Sequence, residues 1–233
     1  MKVDLLKYMS DRMQEAAAKK ASEGPVITIS RQYGCPAKKV AKMLSEHLTT
    51  KLEVKGIKDS KWSFVTKEIM NESAKELELD PSDIKYVFDY EKKSIIDDIL
   101  VAHSNKYYKS DRKIRNTIAK VIRNMAKEGH KVIVGRGGVA ITRDIADSFH
   151  INLEAPIEWR VLRISEKYNL SLEDAEKSVK DIDKKRKEFR EFFEGKGTDY
   201  TRFDLTFNCM TLSIEEIVDI IVKAAELRNL VHN

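Results

Sequence analysis

The chain has 233 residues, of which 35% are charged, and a formal net charge of +5. Positive and negative residues are interspersed, which excludes the basic stripe of a nucleic-acid-binding protein and suits a protein that handles a small anionic ligand. No apolar run is long enough for a transmembrane helix or a signal peptide, so we expect a cytoplasmic protein without membrane contact. The two cysteines, Cys35 and Cys209, lack a metal-type spacing, which predicts a reducing compartment and no zinc site.

The first predicted element is a helix appended to the N-terminus, over residues 1–24. Apolar residues recur at helical spacing from Leu5 to Ala17, and the pattern ends at Gly24. Because this helix precedes the first predicted strand, we expect that it either covers the domain or pairs with the same helix of a second subunit in a homodimer. The remaining residues, 25–233, are predicted to form one domain.

A strand, a polar turn and a helix follow, and they have the layout of a phosphate-binding loop. The β-branched run Val26–Ser30 ends at a turn that contains Gly34, and a helical pattern begins near Val40. Lys38 and Lys39 crowd the first turn of that helix, whose N–H groups already attract anions. Cations there oppose the helix dipole unless an anion lies between them. The turn is therefore predicted to hold a phosphate, with a solvated lysine face as the alternative.

Helical patterns dominate the next part of the chain. Those between about residues 60 and 110 predict a helical insert, and one of them spans 92–103. A long amphipathic helix is predicted from Arg112 to Glu128, and Gly129 ends it as a C-cap would.

Two further strands are predicted, each followed by a polar residue of interest. Lys131–Val134 ends in the turn Gly135–Gly138, in which Arg136 stands between glycines. A turn needs glycine but not arginine, so Arg136 is a candidate anion ligand, with an ordinary surface arginine as the alternative. The next strand, 149–153, ends at Glu154.

The helix after this strand, predicted over Ile157–Tyr168, carries two arginines. Arg160 and Arg163 lie three residues apart and therefore on one face. We expect Arg160 to form an ordinary ion pair with the neighbouring carboxylates, which are Glu158 and Glu166.

A capping box that begins at Ser171 predicts the next helix, to about Phe193. Three of its charged residues share one face at positions i, i+3 and i+7, namely Asp183, Arg186 and Arg190. An ordinary ion pair between Asp183 and Arg186 is the alternative to a functional role.

A last strand, Asp204–Cys209, and a helix that Ser213 caps complete the chain. Strands that alternate with helices through long crossovers predict a parallel sheet covered on both faces, which is a three-layer α/β/α fold. Ligands of such folds bind beyond the carboxyl ends of the strands. We therefore expect the site where the loops after these strands meet.

The residues in these loops resemble the cytidylate kinase-like family, a branch of the P-loop nucleoside monophosphate kinases. The resemblance extends from about Pro25 to Ile221, and its specific segments are Ser30–Gly34, Val132–Gly137, Ala155–Arg163, Ile182–Arg186 and Phe203–Asn208. It implies a helical acceptor-binding insert at about 60–110 and a helical lid at about 172–202. It also implies ATP-dependent phosphoryl transfer to a nucleoside monophosphate such as CMP, with Mg²⁺ bridging the donor phosphates.

The resemblance also implies roles for individual residues. The donor phosphates would be bound by Ser30, Arg31, Gly34, Cys35, Lys38 and Lys39. The acceptor would be bound by Glu68, Arg136 and Gly137, with Arg136 gripping its phosphate. The catalytic charges would be Arg136, Arg163, Asp183 and Arg186. No residue is implied as a metal ligand.

The chain departs from the family pattern in two places. Pro36 and Ala37 replace two glycines of the loop, and Pro36 has no N–H that could face a phosphate. Thr66 stands where family members carry an aspartate, and Glu68, two residues later, is a candidate to replace that carboxylate. Two functions therefore remain open, a kinase and a nucleotide-binding module without turnover.

Overall fold

In the described part of the chain, five parallel strands form a central sheet in the order β2-β3-β1-β4-β5. The computed structural model describes residues 24–66, 68–89, 110–197 and 200–231. The strands are β1 Val26–Arg31, β2 Ser63–Val65, β3 Lys131–Val134, β4 Ser148–Glu154 and β5 Leu205–Asn208. The helices are α1 Ala37–Val54, α2 Glu68–Leu77, α3 Pro81–Asp89, α4 Asp111–Glu128, α5 Gly138–Ile141, α6 Ile157–Tyr168, α7 Leu172–Glu194 and α8 Ile214–Leu227, and Tyr200–Arg202 form a 3₁₀ turn.

β1 lies in the middle of the sheet, between β3 and β4. The side chains of Val26–Ile29 are all buried, as expected for a strand that is covered on both faces. Ile29 pairs with Val134 of β3 and with Ile151 of β4. Because these strands are parallel, their carboxyl ends lie at one edge of the sheet, and the loops that follow them meet there.

Helices cover both faces of this sheet, so the predicted three-layer α/β/α fold is confirmed. α1 and α8 pack on one face, where Leu44 and Ile217 belong to a common core. α2, α3, α4 and α5 contribute to the core on the opposite face. α6 and α7 pack against each other through a small separate core that contains Val161 and Val179, and Tyr33 of the first loop packs against it. This last contact places α7 beside the loop that follows β1.

Some elements differ from the sequence-based predictions. The pattern did not predict β2, a strand of three residues that pairs only with β3 in the described sheet. Residues 1–23 of the predicted N-terminal helix, and the helical pattern over 92–103, lie outside the described residues. Both predicted N-caps are present, because Ser171 accepts a hydrogen bond from the Asp174 N–H and Ser213 accepts one from the Glu216 N–H. No helix in the described ranges has the length and apolar character needed to cross a membrane.

Candidate functional site

A pocket lies at the carboxyl edge of the sheet, where the loops after β1, β3 and β4 meet α7. Its lining residues are Ser30, Arg31, Gln32, Gly135, Arg136, Gly137, Asn152, Glu154, Asp183, Arg186, Lys187, Phe189, Arg190 and Phe203. Four arginines and one lysine thus face two carboxylates. Such an excess of positive charge in a concave site attracts an anionic ligand.

The turn after β3 holds Arg136 in a backbone conformation that arginine rarely adopts. Gly135, Arg136 and Gly137 have φ angles of +72°, +58° and +69°, all in the left-handed region. This region costs a residue with a side chain about 1–2 kcal/mol, and such strain is concentrated at functional sites. A Cβ atom on Gly135 would overlap the Arg31 guanidinium, so that glycine lets Arg31 cross the turn. The turn therefore places Arg136 at the pocket and leaves room there for Arg31.

α7 supplies the lid-side charges of the pocket. Asp183, Arg186 and Arg190 all line it, as their spacing predicted. Arg186 Nη1 donates a hydrogen bond to the Arg31 carbonyl at 3.2 Å, and its guanidinium lies 5.3 Å from the centre of the Tyr33 ring. Within the part of the chain that the structure describes, the buried Nε of Arg186 has no hydrogen-bond partner. An anion in the pocket would supply one.

Asp183 joins α7 to the first loop and to Arg160. Its Oδ1 accepts a hydrogen bond from the Tyr33 N–H, and its Oδ2 accepts one from Arg160 Nη1, both at 2.7 Å. Arg160 also donates to the carbonyls of Tyr33 and Ala155, at 3.1 and 2.9 Å. Only 6% of the Arg160 side chain is exposed.

The sequence-based prediction that Arg160 pairs with Glu158 and Glu166 is therefore wrong. Arg160 lies on the face of α6 that packs against the first loop, where Gly34 leaves room for it. A Cβ atom on Gly34 would lie 3.0 Å from the Cβ of Arg160. Its partner, Asp183, lies on another helix, so local spacing gave no signal for this pair. Arg160 is thus a residue of the site that the sequence did not reveal.

The loop after β1 uses many of its N–H groups within the protein. Backbone N–H groups with a protein acceptor belong to Gln32, Tyr33, Cys35, Ala37, Lys39 and Val40. In a phosphate-binding loop such groups face the ligand. Pro36 lacks the group altogether, and it stands at the N-cap of α1 without a side-chain cap. To reach the Tyr33 N–H, a phosphate would have to displace the Asp183 carboxylate.

A model of the cytidylate kinase-like family matches residues 26–211. The chain belongs to the cytidylate kinase-like family. The crystal structure of an uncharacterized protein from Eubacterium ventriosum ATCC 27560 has the same fold, with a TM-score of 0.62 and 22% sequence identity, and the match covers 88% of this chain and 99% of that chain. No curated protein matches the sequence. The family suggests nucleotide kinase chemistry.

The residues for which the family resemblance implied donor binding do not all lie together. Ser30 and Arg31 line the pocket. Lys38 and Lys39 are exposed on the first turn of α1 and are not among the lining residues. Cys35 packs against the core on the α1 side of the sheet. The structure thus divides this set between the pocket and the outer side of the loop.

Two further residues of the cytidylate kinase-like pattern lie outside the pocket lining. Arg163 Nε donates a hydrogen bond to the Gly34 carbonyl at 3.3 Å, and its guanidinium lies 4.6 Å from the Trp159 ring centre. Glu68 stands at the start of α2, where its carboxylate accepts a hydrogen bond from the Thr66 N–H at 2.8 Å.

Glu194, near the end of α7, positions Arg190 from outside the pocket lining. Only 2% of its side chain is exposed, and its Oε2 lies 3.6 Å from Arg190 Nε and 3.2 Å from Arg202 Nη1. Burial raises the pKa of Glu194, although the arginines Arg202, Arg190 and Arg143 oppose the shift. The contact between Glu194 Oε2 and Arg190 Nε therefore holds Arg190 at the pocket wall.

Burial also changes the pKa of Tyr33, the tyrosine of the first loop. It raises the pKa of Tyr33 to about 12, and the hydrogen bond with Tyr168 adds to the shift. Tyr33 is therefore a neutral hydroxyl at physiological pH, and we assign it no acid–base role.

Proposed function

We propose that this cytidylate kinase-like protein transfers the γ-phosphoryl group of ATP to a nucleoside monophosphate of the CMP type. The observation that carries the proposal is the convergence of five cations from three chain segments on one pocket at the carboxyl edge of the sheet. Phosphoryl transfer depends on positioning and on neutralising charge rather than on a strong base. Arginine suits this role because its planar fork matches the oxygens of a phosphate.

On the acceptor side, Arg136 would bind the monophosphate. Arg136 stands between two glycines, and the strained backbone of this turn places it at the pocket. Gly137 would allow the ligand to approach the turn closely. The resemblance implied a role for Arg31 at the donor phosphates, but its side chain crosses Gly135, so we propose that it also faces the acceptor. Arg190, which Glu194 positions, would complete the cationic wall. Glu68, at the start of the helical insert, would contact the acceptor from that side.

On the donor side, the first loop would have to rearrange. Ser30, Gly34, Cys35, Lys38 and Lys39 would surround the ATP phosphates once Asp183 leaves the Tyr33 N–H. Arg186 and Arg163 would then neutralise the charge on the transferring group. ATP would carry Mg²⁺ on its phosphates, and Glu154, the other carboxylate of the pocket, is an oxygen ligand of the type that Mg²⁺ prefers. We place this reaction in the cytoplasm.

A second candidate function is nucleotide binding without turnover. The engaged N–H groups of the loop and Pro36 favour it, because they leave the donor phosphates fewer hydrogen-bond donors. The pocket cations would still bind a phosphorylated ligand in such a module.

A turnover assay distinguishes a kinase from a nucleotide-binding module. Purified protein is incubated with ATP, Mg²⁺ and one of a panel of nucleoside monophosphates, and ADP release is followed. We expect ADP release above the ATP-only background with CMP or a related monophosphate, because the cations of the pocket are arranged for phosphoryl transfer.

The matched control compares Arg136→Ala with Arg112→Ala, which removes an exposed arginine of α4. The kinase proposal predicts that only Arg136→Ala loses acceptor-dependent ADP release, by about 100-fold or more, which corresponds to about 2.7 kcal/mol. If no acceptor gives ADP above background while ATP still raises the melting temperature, the protein is a binding module.

A further inference from the structure

The two cysteines of the chain lie together at the carboxyl edge of the sheet, although they are far apart in sequence. Cys35 is half-buried in the turn before α1 and packs against the core that contains Cys209. Cys209 directly follows β5 and is 6% exposed. The two thiols also lie close enough to shift each other's pKa.

Backbone hydrogen bonds fix both cysteine segments to the end of β4. The Gln32 N–H donates to the Leu153 carbonyl at 2.9 Å, and the Gln32 side chain accepts from the Ala155 N–H at 3.0 Å. The Cys209 N–H itself donates to the Glu154 carbonyl at 2.8 Å. The sheet therefore holds the two cysteine segments beside neighbouring residues at the end of β4.

A cation lies close to this pair. Arg163 donates to the Gly34 carbonyl, beside Cys35. The neighbouring Cys35 thiol lowers the pKa of the Cys209 thiol, burial opposes this shift, and the charge of Arg163 adds to it. The interaction with Cys209, followed by burial, raises the pKa of the Cys35 thiol. The thiolate is the nucleophilic form of sulfur, and the charge of Arg163 favours it at Cys209.

We propose that a hydroperoxide oxidises Cys35 and Cys209 to an intramolecular disulfide that joins the first loop to the end of β5. The thiolate of the pair attacks a peroxide oxygen, the O–O bond breaks, and a sulfenic acid forms while the leaving oxygen is protonated. The other sulfur then attacks the sulfenic sulfur, the S–S bond forms, and the hydroxyl group leaves with the last thiol proton as water. Two electrons pass from the thiols to the peroxide.

This bond would act on the segment that the donor phosphates need. A disulfide at Cys35 holds the Gly34–Ala37 turn against the residue after β5 and so opposes the rearrangement that releases Asp183 from the Tyr33 N–H. Oxidation is therefore expected to weaken ATP binding. This consequence rests on the proposed function, whereas formation of the disulfide does not.

Formation of the disulfide is tested on the full chain. Reduced protein is treated with hydrogen peroxide, quenched with N-ethylmaleimide, and analysed by intact mass and by peptide mapping. We expect a monomer that has lost two hydrogens, takes up no maleimide, contains a linked Cys35–Cys209 peptide pair, and returns to two reactive thiols with dithiothreitol. The variants Cys35→Ser and Cys209→Ser should form no intramolecular link. Two alkylatable thiols in the peroxide-treated wild type, or links between molecules only, would overturn the proposal.

The effect on the loop is measured by titrating ATP into the reduced and the oxidised wild type. We expect oxidation to weaken ATP binding about tenfold, equivalent to about 1.4 kcal/mol, and dithiothreitol to restore it. Equal affinity in both states would overturn the effect on the loop. If neither state binds ATP while the disulfide still forms, the proposed function fails and the redox site stands.

Discussion

At the scale of single residues, the contact between Arg160 and Asp183 organises the site. Arg160 is an almost fully buried cation whose nitrogens contact two backbone carbonyls and one carboxylate. Burying a charge is costly unless the charge is paired. Removing one partner of a buried ion pair therefore destabilises the protein, because the other charge stays buried without compensation. The same carboxylate accepts a hydrogen bond from the Tyr33 N–H. The contact that stabilises the first loop therefore also keeps this N–H from binding a phosphate.

We predict that Asp183→Ala lowers the free energy of unfolding by about 3–5 kcal/mol, because it leaves Arg160 charged, buried and without its carboxylate. Glu176→Ala is the matched control, because it removes an exposed carboxylate that pairs with Lys180 on the same helix. This control should change stability by about 0.5 kcal/mol or less. Denaturant unfolding measures both variants. A small effect of Asp183→Ala, equal to that of the control, would show that Arg160 does not depend on this pair.

At the scale of elements, the turn between β3 and α5 and the helix α7 form two walls of the pocket. The turn needs glycine at Gly135 for two separate reasons, the left-handed backbone and the crossing Arg31 side chain. α7 is held against α6 by their small shared core and against the first loop by Asp183. Because each wall comes from a different element, a local change in one should alter the pocket without removing the sheet.

A comparison of Gly135→Ala with Gly56→Ala separates the effect of the left-handed backbone from the effect of the lost room for the Arg31 side chain. Both glycines have positive φ angles, +72° and +82°, but a Cβ atom on Gly56 would meet nothing within 4 Å. Both variants should lose about 1–2 kcal/mol of stability from the backbone alone. Only Gly135→Ala should also weaken CMP binding, measured by calorimetry, because it displaces Arg31. Equal CMP affinity in the two variants would contradict the role of Arg31.

At the scale of the whole molecule, the sequence predicted the fold well because the relevant signals are local. The buried run Val26–Ile29 and the caps at Ser171 and Ser213 define their elements without help from distant residues. β2 was missed because three residues carry no periodicity, and the strand exists through its pairing with β3.

The site was less predictable because its contacts join distant segments. The common face of Asp183, Arg186 and Arg190 was visible in their spacing, and the structure places all three at the pocket. The burial of Arg160 depends on how α6 meets α7 and the first loop, which no local pattern encodes. The approach of the Cys35 and Cys209 segments to each other depends in the same way on the order of β1, β4 and β5.

We propose that the pocket between the ends of β1 and β3 binds a phosphate through Arg136, and calorimetric titration of the protein with CMP and with cytidine tests this directly. We predict that CMP binds at least about tenfold more tightly than cytidine, and that Arg136→Ala removes this difference while Arg112→Ala keeps it. Equal affinity for CMP and cytidine in the wild type, or an unchanged preference for CMP in Arg136→Ala, would show that Arg136 does not bind the phosphate.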